Sequence, residues 1–166
     1  PSFNYTTFNA ANAGIKTTLI YSSSRFITGI SVNPRNPDSI VLSLSNYGQN
    51  NHIVRINNAM SSTGTGNTNT TNLQGNLPAF PVYDILLNPY NPANCIIGTE
   101  YGVWACNDID NPSPQWQEEN ANFPRVPTMQ LQAVPDTNGQ YYLYAGTHGR
   151  GAFYSNSLCG ACPKIN

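Results

Sequence analysis

The sequence has 166 residues, enough for one domain with a real core, and a formal net charge of −1 with only 9% charged side chains. A field that weak excludes attraction to nucleic acid, and no apolar run approaches the ~20 residues that cross a bilayer, so neither nucleic acid nor membrane insertion is expected. The polar surface comes instead from uncharged side chains, Asn alone occurring 24 times, a composition that suits a secreted, extracellular protein.

The chain opens at Pro1 without a secretory leader, so a start that has been removed or lies upstream is expected. Residues 1–25 read as the outer part of a preceding structural unit, with a candidate strand at Thr17–Tyr21. A repeat follows. Ile30 to Gly48 aligns with Ile85 to Gly102 at an offset of 55 residues, each copy carrying an apolar run, the turn N-P-x-N-P, and a second apolar run ending at Tyr-Gly. The turns are Asn33-Pro34-Arg35-Asn36-Pro37 and Asn88-Pro89-Tyr90-Asn91-Pro92. Proline fixes φ near −65° and cannot donate to a ladder, so these segments interrupt the strands. A third copy spans Met129 to Phe153, with Pro135 to Gly139 as its polar turn.

The expected strands in the three copies are antiparallel. They include Ile40–Leu44 and His52–Ile56, then Tyr83–Leu87, Ile96–Ile97 and Val103–Ala105, then Tyr142–Ala145 and Ala152–Tyr154. More polar fourth strands fall at Thr70–Leu73 and Gln115–Glu118, and no strong helix is expected. Glycines 48, 102, 149 and 151 supply the positive φ of tight hairpins. The stretch Ser61–Asn72 reads as a long solvated loop, and the prolines of Leu77–Pro81 and Phe123–Pro127 punctuate passage between units. Four strands per 45–55 residues is the spacing of propeller blades. The expected fold is all-β: a β-propeller segment of about three four-stranded blades, the C-terminal part of a larger ring. The divisions are 26–79, 80–125 and 126–157 for the blades and 158–166 for a Cys-containing tail. An open arc exposes buried-type faces, so the remaining blades of the same protein, or another chain, are expected to complete the ring.

The four cysteines are read as structural. Cys95 and Cys106 flank a hairpin and are placed to bridge it if the register allows. Cys159 and Cys162 form C-G-A-C, but no helix follows to depress a thiol pKa and no second CxxC supplies a zinc site. Disulfides are the expected state in an oxidising compartment.

The run Val82-Tyr-Asp-Ile, then Asn-Pro-Tyr-Asn-Pro, then Ile-Gly-Thr-Glu-Tyr-Gly-Val-Trp104 resembles the Asp-box, or sialidase-repeat, propellers. That superfamily includes sortilin-type receptors and xyloglucan-degrading hydrolases. Tyr144-Ala-Gly-Thr-His-Gly-Arg-Gly-Ala-Phe153 looks like the terminal blade of large proteins exported by the type IX system of Bacteroidetes-type bacteria. The resemblance covers roughly residues 26–157. The Asp-box pattern Ser/Thr-x-Asp-x-Gly-x-Thr-Trp is poorly kept in Cys106 to Trp116. In the family it is a folding hairpin, so Asp108, Asp110 and Trp116 carry no catalytic implication.

Glycosidic cleavage needs two carboxylates facing each other across a cleft. Asp84 lies on an inner strand, Glu118 and Glu119 on an outer one, and Asp38 and Asp136 in turns. No pair stands out, so no catalytic residue is assigned. Tyr47, Tyr101 and His148 occupy equivalent turns, with Arg150 beside the last, and form a candidate ligand-binding arc on one rim, suited to polysaccharide or a cell-surface protein. His52 is isolated, so no metal is assigned, and no cofactor is expected. Asn4 and Asn69 begin N-glycosylation triplets, and Ser39 lies in a triplet resembling the O-glycosylation signal of exported Bacteroidetes proteins. The expected function is a non-enzymatic binding or scaffold module of a large secreted or cell-surface protein, adhesin-like. The alternative is part of a glycoside hydrolase of the xyloglucanase or sialidase kind, with its catalytic acids partly outside this chain.

Overall fold

The computed structural model describes residues 18–61 and 69–156. Eleven strands and no helix occur among them. The first sheet holds β1 (Ile27–Asn33), β2 (Asn36–Leu44), β3 (Ile53–Ile56) and β4 (Thr70–Asn72). The second holds β5 (Val82–Leu87), β6 (Cys95–Thr99), β7 (Gly102–Cys106) and β8 (Trp116–Glu118). β9 (Thr128–Pro135), β10 (Tyr141–Thr147) and β11 (Gly151–Ser155) form a third. Neighbours in each sheet are consecutive in the chain, and all paired strands are antiparallel. Each strand named in advance for the three copies is therefore present, within a few residues of its expected ends, but among the described residues the third sheet has three strands rather than the expected four. The strand expected at Thr17–Tyr21 does not form over residues 18–21, and Thr17 lies outside the described residues. There, Ile20 and Tyr21 pack as coil against the buried side chains of the first sheet.

The turn chemistry explains why the copies fold alike. In both N-P-x-N-P segments each Asn side chain accepts a hydrogen bond from the amide two residues on. Asn33 Oδ1 takes Arg35 N at 2.9 Å and Asn88 Oδ1 takes Tyr90 N at 2.9 Å. Asn36 takes Asp38 N at 3.1 Å and Asn91 takes Ala93 N at 3.4 Å. The intervening proline has no N–H to satisfy, so the Asn side chain closes the turn that the backbone cannot. The third copy uses Asp136, whose Oδ1 accepts from Asn138 and Gln140. The two proline-rich linkers also match: Phe80 N bonds Pro78 O and Val126 N bonds Pro124 O, both at 2.9 Å.

Alternation along the strands sends one set of side chains to each sheet face. Val41 and Ile53 of the first sheet, with Leu73 just past β4, meet Ile85, Leu87, Cys95, Ile97 and Trp116 of the second in the largest core cluster. Leu86, Ile96 and Val103 on the far face of the second meet Leu131, Leu143 and Ala145 of the third. Both junctions thus use equivalent pairs of faces. The first strands lie side by side, β1 against β5 and β5 against β9, as the innermost strands of consecutive blades do. Small residues permit that approach: a Cβ on Gly29 of β1 would meet the Asp84 Cα of β5 at 3.0 Å, and one on Gly98 of β6 would meet the Thr128 carbonyl oxygen of β9 at 2.5 Å. One face of each kind remains at the ends, the first partly covered by Ile20 and Tyr21. On the first sheet, Ile30 and Val32 are half-exposed beside buried Leu42 and Ile40, their register partners. On the third, Tyr144 and Tyr154 are exposed and in ring contact.

Candidate functional site

Tyr101 sits in the turn that joins β6 to β7. Gly102, at φ +91°, lets the chain re-enter the ladder, and Thr99 Oγ1 ties the turn by donating to the Gly102 carbonyl at 2.9 Å. The Asn120 side chain then grips it from outside, accepting from Val103 N and donating to Tyr101 O, both at 2.9 Å. On this held turn Glu100 receives a hydrogen bond from the Tyr83 hydroxyl. Partial burial, that hydrogen bond and the carboxylate's charge together push the Tyr83 phenol far above its ordinary range. Tyr47, from the equivalent turn of the first sheet, is also raised, by desolvation and then by the charge and hydrogen bond of Glu100. Phe80 backs the group, its ring 5.5 Å from that of Tyr101 and edge-on. Tyr47 and Tyr101 stay 57% and 50% exposed. The expected arc therefore closes over its first two members, around a carboxylate and a third tyrosine that sequence inspection had not included.

His148 and Arg150 do occupy the equivalent β10–β11 turn, where the His148 amide bonds Pro127 O at 2.8 Å. Both side chains are exposed, and neither bonds a described member of the tyrosine group. His52 is fully buried: its amide donates to Gln74 Oε1 at 2.8 Å and its Nε2 lies 2.7 Å from Asn46 O.

Asp84 Oδ2 accepts from Leu131 N of β9 at 2.6 Å and Oδ1 accepts from Ile85 N, so this carboxylate joins the second sheet to the third. Burial raises its pKa, and the two amides only partly offset that. Elsewhere Asp110 pairs with Arg55 at 2.7 Å and Glu118 with Arg125. Asp38 and Asp108 accept turn amides. Trp116 is buried and its Nε1 donates to Leu73 O at 3.0 Å, which ties the start of β8 to the segment just after β4. Cys95 and Cys106 are register partners across β6 and β7 and stand as buried free thiols, both raised by burial. Asn69 is exposed. Ser39 is only 9% exposed, which leaves little room for a sugar on the folded chain. Asn4, Cys159 and Cys162 lie outside the described residues.

On the opposite rim, the two N-P-x-N-P turns border a groove of about 360 Å³ lined by Arg35, Arg55, Ser39 and Asn91, among others. The Arg35 guanidinium crosses it to the Tyr90 carbonyl. Sequence inspection missed this feature. The one signal available was that both repeats carry the same turn, with Arg at the variable position of the first.

Three up-and-down sheets with adjacent innermost strands define an all-β protein built as consecutive propeller-type blades. Among solved structures, the chain is similar to a GH74 enzyme of Niastella koreensis, at 15% identity and a TM-score of 0.39, over 82% of this chain. The chain spans 22% of the length of that enzyme. Neither a family model nor a curated protein matches it.

Proposed function

We propose that these blades belong to a β-propeller serving as a non-enzymatic binding or scaffold module of a larger secreted or cell-surface protein, adhesin-like and of the type IX cargo kind. The observation that carries this reading is the rim group: half-exposed Tyr47 and Tyr101 beside Glu100, on turns fastened by side-chain hydrogen bonds. Flat rings with polar tips, held in place before contact, suit recognition of polysaccharide or of a protein surface. The weakly charged, Asn-rich exterior fits work outside the cell. The open faces at Ile30 and Tyr154 fit further blades of the same ring, from this protein or another chain.

The hydrolase alternative draws on Asp84, the carboxylate on an inner strand whose pKa burial raises. One experiment separates the two readings. The chain and its Tyr101→Ala and Asp84→Asn variants are incubated with a panel of cell-surface polysaccharides, while binding and reducing-end release are both measured. Binding that falls about tenfold in Tyr101→Ala, without release, is the expected outcome. Release that disappears in Asp84→Asn would overturn the binding-module reading in favour of a hydrolase.

A further inference from the structure

The groove on the rim opposite Tyr101 has a one-sided chemistry. Its walls come from the two N-P-x-N-P turns, and those turns consume acceptors: the Oδ1 atoms of Asn33, Asn36 and Asn91 are all bonded to backbone amides. The Nδ2 groups of the same residues have no partner among the described residues, and all three side chains line the groove. Arg35 and Arg55 add guanidinium donors. Arg35 uses one of its nitrogens on Tyr90 O, and Arg55 is held by Asp110 and Ile109 O. Ser39, nine-tenths buried, also lines the groove, and no described residue bonds its hydroxyl. Val41, Leu87 and Ile109 supply apolar surface. Against this stands one carboxylate, Asp110, with its side chain 64% exposed. Two guanidiniums and one carboxylate leave the groove with a net positive charge.

We infer that this groove between the first two sheets binds an acidic saccharide, a sugar ring carrying a carboxylate. The guanidinium fork of Arg35 matches a carboxylate, while amide donors spread around the walls match the several hydroxyl oxygens of a ring. An acidic peptide side chain would offer only its two carboxylate oxygens to the same donors. The volume of about 360 Å³ lies within the range of small-ligand sites. This site is separate from the tyrosine rim and goes beyond the function proposed above.

The test is titration of the whole chain, followed by NMR, with glucuronate, glucose, acetate and a short Asp/Glu peptide at low salt. Glucuronate is expected to bind at least ~10-fold more tightly than glucose or acetate, and Arg35→Gln to remove most of that preference. Asp110→Asn is expected to preserve or strengthen it, because the opposing charge is gone. Tyr101→Ala is expected to leave it unchanged. Equal binding of glucose or acetate, tighter binding of the peptide, or an unaltered preference in Arg35→Gln overturns the inference. Loss of glucuronate in Tyr101→Ala but not in Arg35→Gln also overturns it and assigns the sugar to the tyrosine rim. If Arg35→Gln alone loses it, the groove stands whatever becomes of the rim.

Discussion

Two residues at the junction of the second and third sheets show how little room the packing there leaves. Gly98 faces the Thr128 backbone, and a methyl placed there would sit 2.5 Å from its carbonyl oxygen. Backbone cannot rotate away as a side-chain tip can, so Gly98→Ala is expected to lower the urea-unfolding free energy by about 1–3 kcal/mol. An unchanged midpoint would show that the strands separate freely. Asp84 makes the same junction polar, and its folded-state pKa lies above 3.8 because burial opposes the charged form. The folded chain then holds the proton more tightly than the unfolded chain does. The stability from this group is fully present below 3.8 and is lost as pH rises through the folded value. Relative to Asp84→Asn, the wild-type chain should gain stability as pH falls from about 7 to about 4. A parallel pair of stability curves would contradict it.

At the scale of the element, the β6–β7 hairpin sets Cys95 directly opposite Cys106. Opposed residues in an antiparallel pair have Cα atoms about 4.5 or 5.5 Å apart, and both spacings lie inside the range a disulfide tolerates. Burial raises both thiols and so suppresses the thiolate that would react. Oxidised glutathione applied during refolding is expected to close the bridge, while the folded thiols should resist it for much longer. The bridge should add about 2–3 kcal/mol, read from unfolding midpoints with and without reductant, and alkylation followed by mass measurement should show both sulfurs protected. Free, alkylatable thiols after oxidative refolding would remove the disulfide from the account. The strands themselves were legible in advance, because alternation and Asn-Pro turns are local signals. The stretch 18–21 was misread as strand because Leu19, Ile20 and Tyr21 are apolar. Ile20 and Tyr21 instead cover the side chains of the first sheet without joining a ladder.

For the molecule as a whole, the governing feature is that both junctions between sheets use equivalent pairs of faces, which leaves the Tyr144–Tyr154 face of the third sheet open and the Ile30–Val32 face of the first only partly covered, by Ile20 and Tyr21. Head-to-tail contacts of that sort close into rings or continue without limit. The isolated chain is therefore expected to self-associate with rising concentration and to bind a hydrophobic dye. Ile30→Ser combined with Tyr154→Ser should reduce both effects. Sedimentation that stays monomeric at all concentrations, without dye binding, would mean that the ends are covered by other means.

Alternation, the 55-residue repeat and the paired Asn-Pro turns determined by themselves that the chain is all-β, that its strands pair in sequence order and that its sheets repeat. Those properties depend on a few neighbouring residues, and two copies of the same local pattern fold the same way. Only the tertiary structure decided what the repeats build between them. Tyr47 meets Glu100 and Tyr83, Arg35 reaches Tyr90, and Asp84 holds β9, across separations along the chain of roughly two-thirds of a repeat to a full one. The spacing and angle between stacked sheets set those meetings. They follow from side-chain volumes across two faces at once, such as Val41 and Leu73 against Ile85 and Trp116, and no single stretch of sequence carries that information.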